Sequence, residues 1–470
     1  MNVLSRRQIC AVLLAASLTG CAAQVHTPYA APDVNLPATW AQPADSYATA
    51  QDRWWIGFGD PVLNRLVEEA LARNNDLAVA ALAVRKAQLQ AELAGSDRLP
   101  SLSVQGSADL SRNLGSEGRE TRSFAASTAV SYELDLWGKL SSTHDAARWE
   151  AVATEEDRAS AALALTGTTA SFYWQIGYLN QRIALSEASI GYARRTLELV
   201  RVQKAAGAAT ALEILEAERS LASQEASHTT LVQQRVEARN ALAILFDGPP
   251  QSLQTTEPRD LASARLPAAE AGLPAQLLAR RPDLRAAESS LRAALATTDA
   301  TRASFYPSIN LSSSLGGSSE ELARLLSNPI AALGADLTLP FVQWRDMRRN
   351  IKISETEYEQ AVIEFRQTLY SALADVENSL SARQQYLAQA EKLEQTLQAA
   401  RQTEELYRIR WQAGGSTLQD WLDAQENRRQ AESSLAENRF NQLQNHITLA
   451  KALGGDVAPS GIGGEQAGQR

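Results

Sequence analysis

Two periodicities alternate along the chain. In 122–136 the period is two. Phe124, Ala126, Thr128, Val130, Tyr132, Leu134 and Leu136 fall on one side, and Ser123, Ala125, Ser127, Ala129, Ser131, Glu133 and Asp135 on the other. Leu102, Val104, Ala108 and Leu110 alternate in the same way with Ser103, Gln105, Ser107 and Asp109. Farther on, Ile309, Leu311 and Leu315, then Leu333, Ala335, Leu337 and Leu339, repeat the pattern. Successive side chains of a strand point to opposite faces, so each run predicts a strand with one apolar face. The expected strands are about 101–111, 122–137, 308–316 and 330–342. In 341–413 the period changes. Neither Gly nor Pro occurs over these 73 residues, and Tyr358, Val362, Phe365, Leu369, Leu373, Val376 and Leu380 step by three or four. That spacing lays one apolar stripe along a helix. At 1.5 Å per residue the helix would run roughly 110 Å. It is too long to fold back on itself and must lie along partners. An extended coiled coil has the same periodicity; the strands decide between the two readings.

The pattern occurs twice. Asp76-Leu77 is matched by Asp283-Leu284, Pro100-Ser101 by Pro307-Ser308, and Ala206-Gly207 by Ala413-Gly414. Thr210 is matched by Thr417, Leu242 by Leu449 and Gly248 by Gly455, always at an offset of 207. Constant spacing over a whole unit marks an internal duplication. Each copy reads as a helix, two strands with a polar tip between them, a very long helix, a Gly turn and a second long helix. The opening helices are expected at Pro61 to about Ser96 and at about Ala268 to Ser304. The repeats are set at 61–257 and 258–456.

Strands of about ten residues, apolar on one face and polar on the other, suit a transmembrane barrel. The tips between them, Arg112 to Thr121 and Gly316 to Pro329, are polar and rich in Gly and Ser, as water-facing loops are. Phe305, Tyr306, Trp137, Phe341 and Trp344 cluster at the helix-facing ends, where an interfacial girdle would sit. A soluble sheet packed on helices is the competing reading. Four strands cannot close a barrel, and lipid does not tolerate open edges. The chain must therefore oligomerise to insert; two copies would give a pore filled by side chains, and three would give twelve strands and a wider one.

The ends add an address. Arg6 and Arg7, then an apolar stretch from Ile9 to Leu18, read as a signal peptide over residues 1–20. It ends in Leu18-Thr19-Gly20-Cys21, the form of a lipobox, so Cys21 is the expected lipidation site, carrying a diacylglycerol and an N-acyl group. Ala22 in place of an Asp favours the outer membrane. Residues 21–60 would then be a lipid-anchored segment, and 457–470 a flexible tail. Loss of the two signal arginines takes the formal charge from −9 to −11, which disfavours nucleic acid as a partner. No later stretch is apolar enough for a transmembrane helix. Cys10 leaves with the signal, so no thiol chemistry remains. His26, His144, His228 and His446 show no ligand spacing, and no Gly-rich phosphate loop follows a strand. Neither an enzyme, a metal nor a cofactor beyond the lipid is expected. Met347 alone would remain after signal removal, too little for a methionine-based copper relay.

Several motifs carry a resemblance. Trp54-Trp55-x-x-Phe58-x-Asp60-Pro61-x-Leu63 opens the first half, followed by Ala70-x-x-x-Asn74-x-Asp76-Leu77. Arg280-Arg281-Pro282-Asp283-Leu284-x-x-Ala287-Glu288 opens the second, and Tyr132-Glu133-Leu134-Asp135-Leu136-Trp137-Gly138 joins strand to helix. With these the chain resembles the TolC-like outer membrane factor family, and within it the lipidated NodT-type subunits of RND efflux systems. The resemblance covers nearly all of the mature chain. It implies a mainly α fold with membrane β: a homotrimer with a twelve-stranded β-barrel, four strands per chain, continuous with a long periplasmic α-helical coiled-coil barrel. It implies an outer-membrane channel, a passive conduit exporting small molecules such as drugs and toxic organics from periplasm to exterior. The implied partners are a periplasmic adaptor (membrane fusion) protein, an RND-type inner-membrane pump and outer-membrane lipid. The same fold also serves type I secretion of proteins or peptides, and the pore sequence does not separate the two.

The resemblance places periplasmic tips at Gly207 and Gly414. It also implies an acidic, cation-binding ring at the second tip, matched by Asp420 and Asp423, with Glu213 at the corresponding place in the first. Six carboxylates near one axis would raise each other's pKa. The family's closing contacts use a Tyr and an Arg, and those positions are Trp411 and Ser416 here. That departure puts a charged inter-helix latch in doubt and leaves an apolar or acid-repulsion gate with Trp411 as its plug.

Overall fold

The structure is a computed structural model. It describes residues 25–42, 44, 53–112, 114, 120–250, 254–327 and 329–455. The signal segment 1–20, Cys21 and the tail 457–470 lie outside the described residues. The chain divides into two compact units. One takes Met1–Val34, Leu82–Glu155 and Ala286–Gln367, the other Asn35–Ala81, Glu156–Arg285 and Thr368–Arg470, so far as those spans are described.

In chain order the main elements are α1 (Pro61–Arg73), α2 (Asn75–Ser96), β1 (Ser101–Arg112), β2 (Glu120–Leu134), α3 (Lys139–Ala205), α4 (Ala211–Ile244), α5 (Pro282–Ala303), β3 (Ser308–Ser319), β4 (Ile330–Thr338), α6 (Trp344–Gln412) and α7 (Leu418–Ala452). The order helix, two strands, long helix, helix recurs. α6 runs 69 residues without interruption.

Each opening helix is broken where one continuous helix was expected. Asn74 stands in extended backbone between α1 and α2. Its side chain explains the break: Oδ1 accepts from the Leu77 amide at 3.1 Å, while Nδ2 donates to the Leu245 carbonyl at 3.2 Å. In the second half a single turn, Leu277–Arg280, ends at Arg281, which is also extended. Pro282 follows, and a proline disfavours helical backbone in the residue before it. The two breaks are again 207 residues apart.

The first unit holds the sheet. Its order is β1-β2-β3-β4, every pair antiparallel. Leu102 faces Val130, Ala108 faces Phe124, Tyr132 faces Leu311 and Ile309 faces Leu337, so the apolar positions of all four strands share one face. The other face carries Ser103, Gln105, Ser127, Asn310, Ser312 and Asp336. Nothing described covers the apolar face: Leu102, Val104, Leu110, Leu333 and Leu337 are all exposed, Leu333 at 87%. β2 ends at Leu134, three residues short of expectation. Asp135 leaves the ladder to accept from the Leu140 and Ser141 amides, both at 2.9 Å, and so caps α3. β4 stops at Thr338 because Pro340 has no N–H to extend a ladder and starts a helical turn instead.

The second unit holds the main core. Trp54, Trp55 and Phe58 pack with Trp174, Leu242, Leu443 and Ile447. Asp60 accepts from the Val62 and Leu63 amides, which starts α1, and its other oxygen accepts from the Tyr173 hydroxyl at 2.7 Å. The Trp-rich opening motif is thus the centre of this core.

Candidate functional site at the helical tips

Both Gly turns lie in the second unit and are built alike. Gly207 and Gly414 have φ of +76° and +74°, the left-handed conformation that glycine adopts without cost. Each closes the preceding helix with a pair of reversed hydrogen bonds. Gly207 donates to the Lys204 carbonyl and Ala208 to that of Gln203; Gly414 donates to Trp411 and Gly415 to Arg410, all at 2.8–2.9 Å. Thr210 and Thr417 then open the next helices as capping boxes. The Thr210 amide and hydroxyl donate to Glu213 Oε2 at 2.7 and 3.0 Å, and the Glu213 amide donates back to Thr210 Oγ1. The Thr417 amide and hydroxyl donate to Asp420 Oδ2 at 2.9 and 2.7 Å, with the Asp420 amide returning the bond.

Within the single chain Asp420 is a helix cap. Its exposed carboxylate is held below the usual aspartate range, first by the Thr417 hydroxyl and then by the Thr417 amide. Hydrogen bonds to the ionised form pull it down; the repulsion expected among six carboxylates belongs to an assembly of three chains. Asp423, one turn on, is exposed and accepts from Gln419 Nε2 at 2.6 Å.

Trp411 also departs from expectation. It is only 7% exposed, and its ring stacks on Trp421 at 4.8 Å. Leu197, Val200, Ala217, Leu418 and Leu422 complete the cluster. Within the single chain the ring packs inward and pins the two tips together. Ser416 Oγ is covered and has no hydrogen-bond partner among the described residues.

A charged link between helices is present, at positions that sequence comparison alone did not single out. Glu404 of α6, 8% exposed, pairs with Arg428 of α7. Arg428 Nη1 also reaches Glu432 at 3.1 Å, and Arg401 reaches Glu432 at 3.2 Å. Tyr192 of α3 sits against Glu404. Burial first, then the carboxylate, push its phenol up to about 12. Tyr192 also meets Trp421 edge to face at 6.2 Å. On the first hairpin Arg201–Glu218 and Arg194–Glu225 pair at 2.8 and 2.7 Å. Arg219 Nη2 donates to Gln419 Oε1 at 3.4 Å, joining one tip to the other. The stack had a visible signal: Trp411 and Trp421 stand on either side of the Gly414 turn. Among the described residues no group of His, Cys, Asp and Glu is arranged to hold a metal ion.

A sheet with one bare apolar face, feeding long helices that end in paired capped turns, defines the class of a membrane-embedded channel protomer. The chain belongs to the outer membrane efflux protein family, whose model matches residues 66–246 and 273–455. It is 33% identical to the pyoverdine export outer membrane protein OpmQ of Pseudomonas putida over 96% of this chain and 97% of that one. It is 29% identical to the cation efflux system protein CusC of Escherichia coli over 94% and 97%. Among solved structures, that of CusC matches with a TM-score of 0.79 at 28% identity, covering 90% of this chain and 99% of that one. The open state of the Neisseria gonorrhoeae MtrE outer membrane channel matches at 0.80 and 29%, covering 92% and 98%. The protein is an outer-membrane efflux channel component.

Proposed function

We propose that the chain is one protomer of a homotrimeric channel that passes small molecules from the periplasm to the exterior. The observation that carries this reading is the sheet. Its apolar face is uncovered, and β1 and β4 each leave one edge unpaired among the described residues. Unpaired backbone groups are not tolerated in lipid, so the edges must meet those of other copies. Three copies give twelve strands. β1 follows α2 and β4 precedes α6, so pairing β1 with a neighbour's β4 brings those two helices together. Both carry exposed apolar rows there: Leu82, Leu89 and Leu93 on α2, Ile353 and Ile363 on α6. The recurrence of elements and breaks at an offset of 207 supports an internally duplicated chain, with repeats at 61–257 and 258–456. Cys21 is the proposed lipid anchor.

The tips are the proposed periplasmic gate, where a periplasmic adaptor and an RND-type inner-membrane pump would deliver substrate. In a trimer three Asp420 and three Asp423 would ring the axis, and Glu213 would stand at the first tips. The conduit would be passive and its substrates chosen by the pump; no cofactor takes part. The relative named toxin and drug export protein A, of Aggregatibacter actinomycetemcomitans, is 30% identical over 94% of this chain. Toxin export by that relative keeps export of peptides or proteins as the second reading.

Planar-bilayer recording of the purified full-length protein tests the proposal. Discrete openings, with trimer mass by light scattering, are expected; a monomer without conductance would overturn it. Deletion in the source bacterium separates the readings: small-molecule sensitivity supports efflux, loss of a secreted polypeptide supports the alternative.

A further inference from the structure

The junction between β4 and α6 is chemically unlike its counterpart in the first half. Residues 344–352 read Trp-Arg-Asp-Met-Arg-Arg-Asn-Ile-Lys, with four cations and one acid. They occupy the first turns of α6, where the helix dipole already disfavours positive charge. Arg345 and Arg348 lie over the Trp344 ring at 5.4 and 5.6 Å from its centre. Arg349 is 3.9 Å from Asp346, with both side chains largely exposed. No acidic side chain among the described residues pairs with Arg345, Arg348 or Lys352. At the matching junction of the first half there is one cation, Lys139, and Glu133 neutralises it at 2.9 Å. Apart from Asp346, the positive charge of the second junction has no acidic partner among the described residues.

Its surroundings say what would offset it. Immediately before it stand Leu339, Phe341 and Val342, with Trp344 beside them; all are exposed, Val342 at 68% and Trp344 at 52%. They extend the run of exposed apolar residues from β4 towards the helices. An amphipathic indole at that level is typical of the zone between acyl chains and headgroups. Arginines one turn farther along the chain then stand at headgroup depth, with stems able to follow the apolar surface. We propose that Arg345, Arg348, Arg349 and Lys352, with Trp344 as their platform, form a binding surface for anionic phospholipid headgroups in the periplasmic leaflet of the outer membrane. The proposal rests on the membrane reading of the sheet given above. Guanidinium groups suit phosphate because their N–H fork can take two oxygens at once. Only the second half carries the cluster, so a trimer would present three such surfaces rather than six.

The test uses full-length protein in bilayer nanodiscs of phosphatidylcholine alone or with one third phosphatidylglycerol. Heat inactivation and mass spectrometry of retained lipid are read together. Wild type is expected to unfold later and keep phosphatidylglycerol selectively, and 0.5 M NaCl should erase most of the difference. The variant R345Q/R348Q/R349Q/K352Q should lose the preference, with a drop in apparent lipid affinity of roughly fivefold per cation removed. R345K/R348K/R349K should keep most of it. A preference unchanged in the glutamine variant, or insensitive to salt in wild type, overturns the proposal. Equal loss of trimer in pure phosphatidylcholine also overturns it, because the cations would then be holding a neighbouring chain. Failure to enter either bilayer would instead sink the membrane reading itself.

Discussion

Trp411 shows how much one side chain can change a gating argument. The family resemblance gives its position near the second tip but not its direction, and from position alone it reads as a plug. In the structure it is enclosed and stacked on Trp421. Trp411→Ala should therefore destabilise the tip by about 3–5 kcal/mol, the usual cost of emptying a buried aromatic site. Amide hydrogen exchange at the starts of α4 and α7 should accelerate, and Trp411→Phe should restore most of the protection. A plug would behave otherwise: conductance would rise while exchange stayed unchanged. Asp420 makes the complementary point about charge. Its carboxylate is depressed by Thr417, so it stabilises the tip above the ordinary aspartate range. That contribution is lost as pH falls beneath the ordinary aspartate range and through the lowered folded value. Thr417→Val removes the hydroxyl and should move the Asp420 titration upward, as followed by carboxyl NMR; an unmoved titration would show that Thr417 does not set it.

At the scale of elements, alternation and spacing were enough to place four strands and two very long helices, because period two and period 3.6 are hard to confuse over such lengths. The Gly turns had a signal of their own, since Gly takes the left-handed position at no cost; the capping of the next helices by Thr210 and Thr417 was not read, because the acids three residues on were assigned to a gate. The helix breaks were not. Asn74 is a tolerable helix residue, and its local cap on the Leu77 amide is joined by a bond to the Leu245 carbonyl, far away in sequence and invisible to local reading. The break before Pro282 had a local signal, and the structure adds what holds it. The Arg281 side chain is mostly buried; it donates to Asp283 at 2.7 Å and to the Ala452 carbonyl at 3.1 Å, and reaches Asp375 at 3.4 Å. Arg281→Ala should leave these acceptors uncompensated and lower stability by roughly 2–3 kcal/mol. Arg281→Lys should recover only part of it, since an ammonium cannot make the forked contact. Thermal unfolding of the three proteins in one detergent would check the order. The cap at the first tip is worth less: Thr210→Ala should cost about 1 kcal/mol.

For the whole molecule the decisive asymmetry is between the two faces of the sheet, because it says which side meets lipid and which meets the conduit. Val104 and Gln105 are neighbours in β1 but point to opposite faces; Val104 lies opposite Thr128 and Gln105 opposite Ser127. Val104 is 78% exposed in the single chain, so no packing inside the protomer complicates a substitution there. Placed towards lipid, Val104→Arg should cost about 2–4 kcal/mol per copy if it sits near the bilayer midplane. In the proposed trimer that cost, taken three times, is enough to reduce the assembled channel in outer-membrane fractions severely. Gln105→Arg puts the same charge one residue along, on the polar face. It should assemble at wild-type levels and instead shift the channel's ion selectivity towards anions, because three added guanidinium groups would line one lumen. Measuring assembly by membrane fractionation and selectivity by reversal potential under a salt gradient separates the two effects. If both variants assembled normally and conducted alike, the apolar face would not be the lipid face. Four amphipathic strands would then have to be buried against something other than a membrane.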